Sequence, residues 1–153
     1  MFDWVLIVVA LAMGGSGLSV SDASQIPLQA EDQVPTGKFT TAVEVRPILD
    51  ATKTNWVALR EYEGQDLLYL THLISWRCGL VQLRIAVNGA EMRSWPLPPC
   101  LAGTATPNAI RAEDGLPYAA FALQHIEQIQ IEITYDDLTT DGAVFTRAEV
   151  LTP

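Results

Sequence analysis

Val81-Gln82-Leu83-Arg84-Ile85-Ala86-Val87 runs directly into Asn88-Gly89, and the reading of this stretch decides the fold. Val81, Leu83, Ile85 and Val87 fall on every second position, the period of a strand with one face on a core. Asn-Gly after such a run is the strongest short-range hairpin signal, because both central positions of the turn need positive φ. A strand returning from a two-residue turn pairs positions whose numbers sum to 177, which leaves Cys100 one residue past the partner of Cys78. A single bulge between Met92 and Trp95 changes the sum to 178. Cys78 then faces Cys100, Val81 faces Leu97 and Leu83 faces Trp95, so one bulge aligns the cysteines and moves Trp95 and Leu97 to the apolar face. The expected Cys78–Cys100 disulfide has 21 residues between its ends and contributes about 3 kcal/mol by loop entropy. Pro96, Pro98 and Pro99 keep the returning strand at a sheet edge.

Outward from the hairpin, the chain divides into short periodic pieces punctuated by turn signals. Trp56 to Tyr62 alternates as a strand, breaks at Glu63-Gly64-Gln65-Asp66, and resumes as a second strand from Leu67 to Trp76. Pro117 to Leu123 and Ile129 to Tyr135 are further strands, and Ala143 to Val150 follows the acidic turn from Asp136 to Gly142. Phe39 to Val45 alternates weakly. Pro47 to Lys53 reads as one or two helical turns with proline early, where its missing N–H matters little. Six to eight short strands with one short N-terminal helix predict a mainly β fold, an antiparallel β-sandwich or small barrel.

The N-terminus gives the compartment. Val5 to Met13 is an unbroken apolar run of nine, followed by Gly14-Gly15-Ser16-Gly17. A bilayer span needs about 20 residues, so the run has the length of a signal-peptide core rather than an anchor. Ser21-Asp22-Ala23 puts small residues at −3 and −1 of a cut before Ser24; a cut after Ser21 is the alternative. The first basic residue is Lys38, so either the true start lies upstream or the leader works on its apolar core alone. The organisation expected is a signal peptide over 1–23, a flexible lead-in over 24–37 and one disulfide-bonded β-rich domain over 38–153. Location is periplasmic or secreted, with no membrane span after processing.

Composition excludes several function classes. The 153 residues are 49% apolar and 18% charged, which is too apolar for a disordered acidic chain. The net charge is −9, and loss of Asp3 and Asp22 with the leader brings it to −7, so nucleic acid is not an expected partner. His72 sits in an apolar run and reads as a structural histidine, and His125 as a surface one. Two histidines without a cysteine pair fall short of a zinc site. Ser75 and Ser94 have no assigned base and no nucleophile elbow, and no glycine-rich phosphate loop lies outside the leader. No cofactor is expected.

Three features remain for function. Asp137, Thr139 and Asp141 begin like an oxygen-rich calcium loop but lack its later ligands, and turn chemistry explains the same residues. Glu61, Glu63 and Asp66 cluster at another turn, where solvation accounts for them. Trp76, Arg77 and Trp95 stand around the disulfide as a candidate partner surface.

The segments YEGQDLLYLTHLISWRCGLVQLRIAVNG and LPPC, then PNAI, LPY and YDDLTTDG, resemble a family of small exported bacterial proteins of uncharacterised function. The resemblance covers about residues 41 to 153. It implies secretion and a paired Cys78 and Cys100, and carries over no activity, cofactor or catalytic residue. The expected function is an envelope-associated binding or accessory domain, non-catalytic, whose partner is another envelope protein. The alternatives are a small-ligand or calcium-binding periplasmic protein and a small periplasmic hydrolase.

Overall fold

A computed structural model describes residues 27–153, so the expected signal peptide lies outside the described residues. The first regular element is helix α1, Ala42–Ala51. Ala42, Val45 and Leu49 recur at helical spacing and are all fully buried, which is the stripe that docks it. Thr41 at the N-cap is extended, and its Oγ1 donates to the Glu44 carboxylate three residues on at 3.0 Å. The helix therefore starts five residues before Pro47, which lies inside it on the exposed side. The helix expected over Pro47 to Lys53 thus begins earlier and takes in the end of the weakly alternating stretch Phe39 to Val45.

Two antiparallel sheets follow, and the fold is mainly β. Strands β1, Ala58–Tyr62, and β2, Gln65–Tyr69, form a hairpin around Glu63-Gly64, both at positive φ. Strand β5, Tyr118–Ala122, pairs with the other side of β2. The second sheet has the order β4-β3-β6-β7, built from Leu80–Val87 (β3), Arg93–Trp95 (β4), Gln128–Tyr135 (β6) and Thr140–Thr146 (β7).

At the deciding hairpin Asn88 and Gly89 have φ of 55° and 75°, and the Ala90 N–H donates to the Val87 carbonyl at 3.1 Å. Leu83 pairs with Trp95 and Ile85 with Arg93, the shifted register expected from the cysteines. The shift is already complete at Arg93, so the extra residue lies among Ala90 to Met92, slightly earlier than expected. Strand β4 stops before Pro96, and the expected pairing of Val81 with Leu97 does not form.

The expected strand from Leu67 to Trp76 ends at Tyr69. A short helix, α2 (Thr71–Ile74), and a 3-10 turn over Arg77–Gly79 take its place. Leu70, Leu73 and Ile74 are buried at helical spacing there. The strand expected over Ala143 to Val150 likewise ends at Thr146, where Thr146 and Glu149 form a capping box opening α3, Arg147–Val150. Just beyond α3, the Thr152 N–H reaches the Leu59 carbonyl on β1 at 2.7 Å, tying the chain end of one sheet to the other. The core draws on both sheets and α1, with Leu59, Leu68, Leu83, Ile131 and Ile133 in one cluster around Trp56. No helix among the described residues is long and apolar enough to cross a membrane.

Candidate functional site

Between β2 and β3, and again between β4 and β5, the chain leaves the sheets, and these two excursions meet at the disulfide. Cys78 and Cys100 are bonded, with an S–S distance of 2.10 Å and Cα atoms 4.9 Å apart. Neither lies on a strand: Cys78 is in the 3-10 turn and Cys100 in the loop after Pro99, so the bond joins two irregular segments rather than two rungs of a ladder.

Arg77 holds the same loop through its charge. It is 2% exposed, and its guanidinium donates to the carbonyls of Ile74, Pro98, Pro99, Asn108 and Ala109 at 2.8–3.2 Å. A loop without ladder partners must satisfy its carbonyls some other way, and here one side chain does it. Burial pulls the guanidinium below its usual pKa, Asp114 opposes that, and Arg111 adds to it. Asn108 completes the junction, accepting from the Cys78 N–H at 2.8 Å and donating to the Phe39 carbonyl at 2.9 Å.

The opposite wall is the segment before α1. Residues 31–37, read from sequence as flexible, are fastened to the domain. The Glu31 N–H donates to the Asp136 carbonyl at 2.8 Å, and the Gln33 amide donates to Asp136 Oδ1 at 2.9 Å and accepts from Val43 N–H. Glu44 gathers the rest, accepting from the N–H groups of Thr36, Gly37, Phe39 and Thr40. Burial alone would raise its carboxyl, but these donors and Thr41 hold it down at about 2.

Strap and loop enclose a cavity of about 740 Å³, with Val34 and Lys38 on the strap side, Leu97 and Pro98 on the loop side, and Leu80 and Asp136 within. Asp136 is the hub. Its N–H donates to the Gly79 carbonyl, and its Oδ1 caps α1 by accepting from Ala42 N–H at 2.8 Å. Its Oδ2 is buried and has no hydrogen-bond partner among the described residues.

The sequence-selected residues fall elsewhere or change role. Arg77 is sealed inside the carbonyl cage, so it is corrected from partner surface to structural cation. Trp76 is half-buried with Phe39 edge-on at 5.4 Å, and Trp95 packs against the core from β4. The residues of the expected calcium loop are engaged by side chains of the domain. Asp137 pairs with Arg46 and accepts from the Thr139 N–H and hydroxyl, while Asp141 pairs with Lys53 at 2.9 Å. Arg46 and Lys53, on α1 and in the turn after it, separate the two carboxylates onto different cations. No group of three or more metal-type ligands exists among the described residues.

Asp66 is the largest departure from the solvated reading. It is fully buried and accepts both Arg147 guanidinium nitrogens, at 2.7 and 2.9 Å, and the Gln124 and Ile126 N–H groups. The Arg147 hydrogen bonds hold its carboxyl well below the usual range against its burial. Glu61 joins the same cation at 3.3 Å. His72 sits on α2 instead of a strand, its Nε2 2.8 Å from Thr52 Oγ1, and burial lowers its pKa. Comparison with family models, with curated proteins and with solved structures finds no match to this chain.

Proposed function

We propose that this chain is an exported, disulfide-bonded β-sandwich domain that acts by binding, as an envelope-associated accessory protein in the periplasm or outside the cell. The cavity between the strap and the disulfide loop is its binding site. The observation that carries the reading is the Cys78–Cys100 bond at the wall of that cavity. Disulfides persist in oxidising compartments, and the chain opens on a signal-like apolar run. Binding is favoured over catalysis because what is preorganised is a half-open hollow whose strap and loop are held by hydrogen bonds between their main chain and the Glu44 and Arg77 side chains.

A small-ligand version of the reading is favoured by size, since about 740 Å³ falls inside the roughly 300–1,000 Å³ typical of small-molecule pockets. The test of the compartment is the intact mass of the endogenous protein from envelope and medium fractions, with and without reductant. A chain beginning near Ser24 that gains about two mass units on reduction supports the proposal. A full-length, reduced chain confined to the cytoplasm overturns it.

A further inference from the structure

We propose that the outer edge of β5 pairs with the same edge of a second copy of this chain, continuing the three-stranded sheet across a twofold axis. No residue of β5 lines the cavity, so the two surfaces are independent. The register shows which main-chain groups are free. The Leu70 N–H donates to the Pro117 carbonyl at 2.8 Å, and the same register sets Leu68 against Ala119 and Asp66 against Phe121. Antiparallel ladders alternate between pairs that exchange hydrogen bonds and pairs whose N–H and C=O point away. Tyr118, Ala120 and Ala122 therefore aim their main-chain groups out of the sheet edge. Ala120 and Ala122 are exposed, and of those groups only the Ala122 carbonyl has a partner among the described residues, the His125 N–H at 3.0 Å.

The other edges are closed. Along β1, Leu151 bridges in parallel to Leu59, and the Thr152 N–H takes the Leu59 carbonyl. On β7 the Lys53 ammonium donates to the Gly142 carbonyl at 3.3 Å, and the Thr146 N–H donates to the Glu149 carboxylate at 3.1 Å. Strand β4 is only Arg93–Trp95 and stops at Pro96, which has no N–H to offer. A bare edge is a template for another strand, and β5 is the bare one among the described residues.

Symmetry and charge select the occupant. A twofold axis at Ala120 sets Tyr118 against Ala122 of the second copy and Ala120 against Ala120 of the second copy, so every outward group meets an outward group with no change of register. Leu123, 46% exposed, falls opposite Pro117 of the second copy on the same face. A strand that meets itself must not set like charges against each other, and residues 115–124 carry no charged side chain in a chain of net charge −9. The lysine or other charge that commonly guards an edge is missing from β5. Because β1 is occupied by the chain end, addition stops at two copies.

Sedimentation equilibrium of the oxidised chain purified from its own cells, from about 1 μM to about 1 mM, should show a reversible monomer–dimer equilibrium with no larger species. Ala120→Lys and Ala120→Glu change an exposed side chain and leave the bonds to β2 in place. Each alone should raise the dimer dissociation constant about tenfold or more while keeping the parent's circular dichroism. An equimolar mixture of the two should recover the dimer, because position 120 faces its own copy across the axis. Ala120→Pro removes an N–H that β2 does not use, so it should give the same loss without a charge, and it decides the matter if the charged variants do not fold. In the parent chain the Ala120 amide should exchange more slowly as concentration rises. A chain that stays monomeric to about 1 mM, species larger than a dimer, or a dimer that survives both Ala120→Lys and Ala120→Pro overturns the proposal. Protection of the Ala120 amide only by an extended segment of another protein also overturns it, and assigns the edge to that partner.

Discussion

Arg147→Met tests the buried ion pair that joins β2 to the start of α3. The substitution keeps the length of the side chain and removes the cation, leaving Asp66, which is fully buried, with only the Gln124 and Ile126 N–H groups as donors. Breaking a buried pair from one side costs about 3–5 kcal/mol, because the remaining charge is stranded. The retained amide donors place this case near the lower end, about 3 kcal/mol at pH 7, or a fall of roughly 10 °C in Tm for a domain of this size. The pH dependence gives a second reading of the same cause. In the parent chain the Asp66 carboxyl is lowered, so its contribution is present above the unfolded value near 3.8 and is lost only as pH falls through the lower folded value. Without Arg147 burial is opposed only by the Gln124 and Ile126 N–H groups, so the folded value rises from the parent's. The variant then loses less stability on acidification than the parent does, and its deficit shrinks as pH is lowered through the unfolded value near 3.8. Urea unfolding at several pH values measures both, and the Asp66→Asn/Arg147→Met double variant should lose at least about 1 kcal/mol less than the sum of the singles. A cost below about 1 kcal/mol, or a deficit independent of pH, would refute the reasoning.

Three further outcomes follow from the geometry. Gly79→Ala drives a Cβ into the buried Val45 Cγ2 and sets it 3.1 Å from the Thr41 carbonyl, so Val45 or the start of α1 must give way; thermal unfolding should show a loss of about 1–3 kcal/mol. Glu44→Gln should loosen residues 36–40 and flatten the acid limb of stability: the parent contribution is present above the unfolded value near 4.5 and lost as pH falls towards about 2, which amide exchange of those residues and acid titration by circular dichroism will report. Millimolar calcium should leave Tm within about 1 °C, since Asp137 and Asp141 are engaged by Arg46 and Lys53; a dose-dependent rise would restore the calcium loop.

Strand periodicity survives in the chain wherever one face is solvated. Val81 to Val87 and Ile129 to Tyr135 alternate because they are such strands, and the two cysteines carry register information that places Leu83 opposite Trp95. The segment from Leu67 to Trp76 is apolar on every side, and a short apolar run has no period to separate a strand from a helical turn. One helix start carries its signature in sequence, the capping box of Thr146 with Glu149, but the apolar run from Ala143 that leads into it reads as a continuing strand. The site is less legible for a different reason. Asp66 meets Arg147 across 81 residues, and Asp136 meets Ala42 across 94. Nothing local marks either carboxylate as buried. Arg77 looks like any surface arginine until the loop it holds is folded around it.

That arginine bears on how such a domain could diversify. Its five acceptors are main-chain oxygens, which every amino acid provides, so the path of the loop from Pro98 to Ala109 is dictated by a side chain outside the loop. Descendants could exchange the exposed rim residue Ala102 without disturbing that path. Lysine could not take over at position 77, because one compact ammonium cannot reach the spread of carbonyls that a planar fork spans. The arrangement lets the rim's chemistry drift under selection for a new ligand while a single inherited position keeps the loop in place.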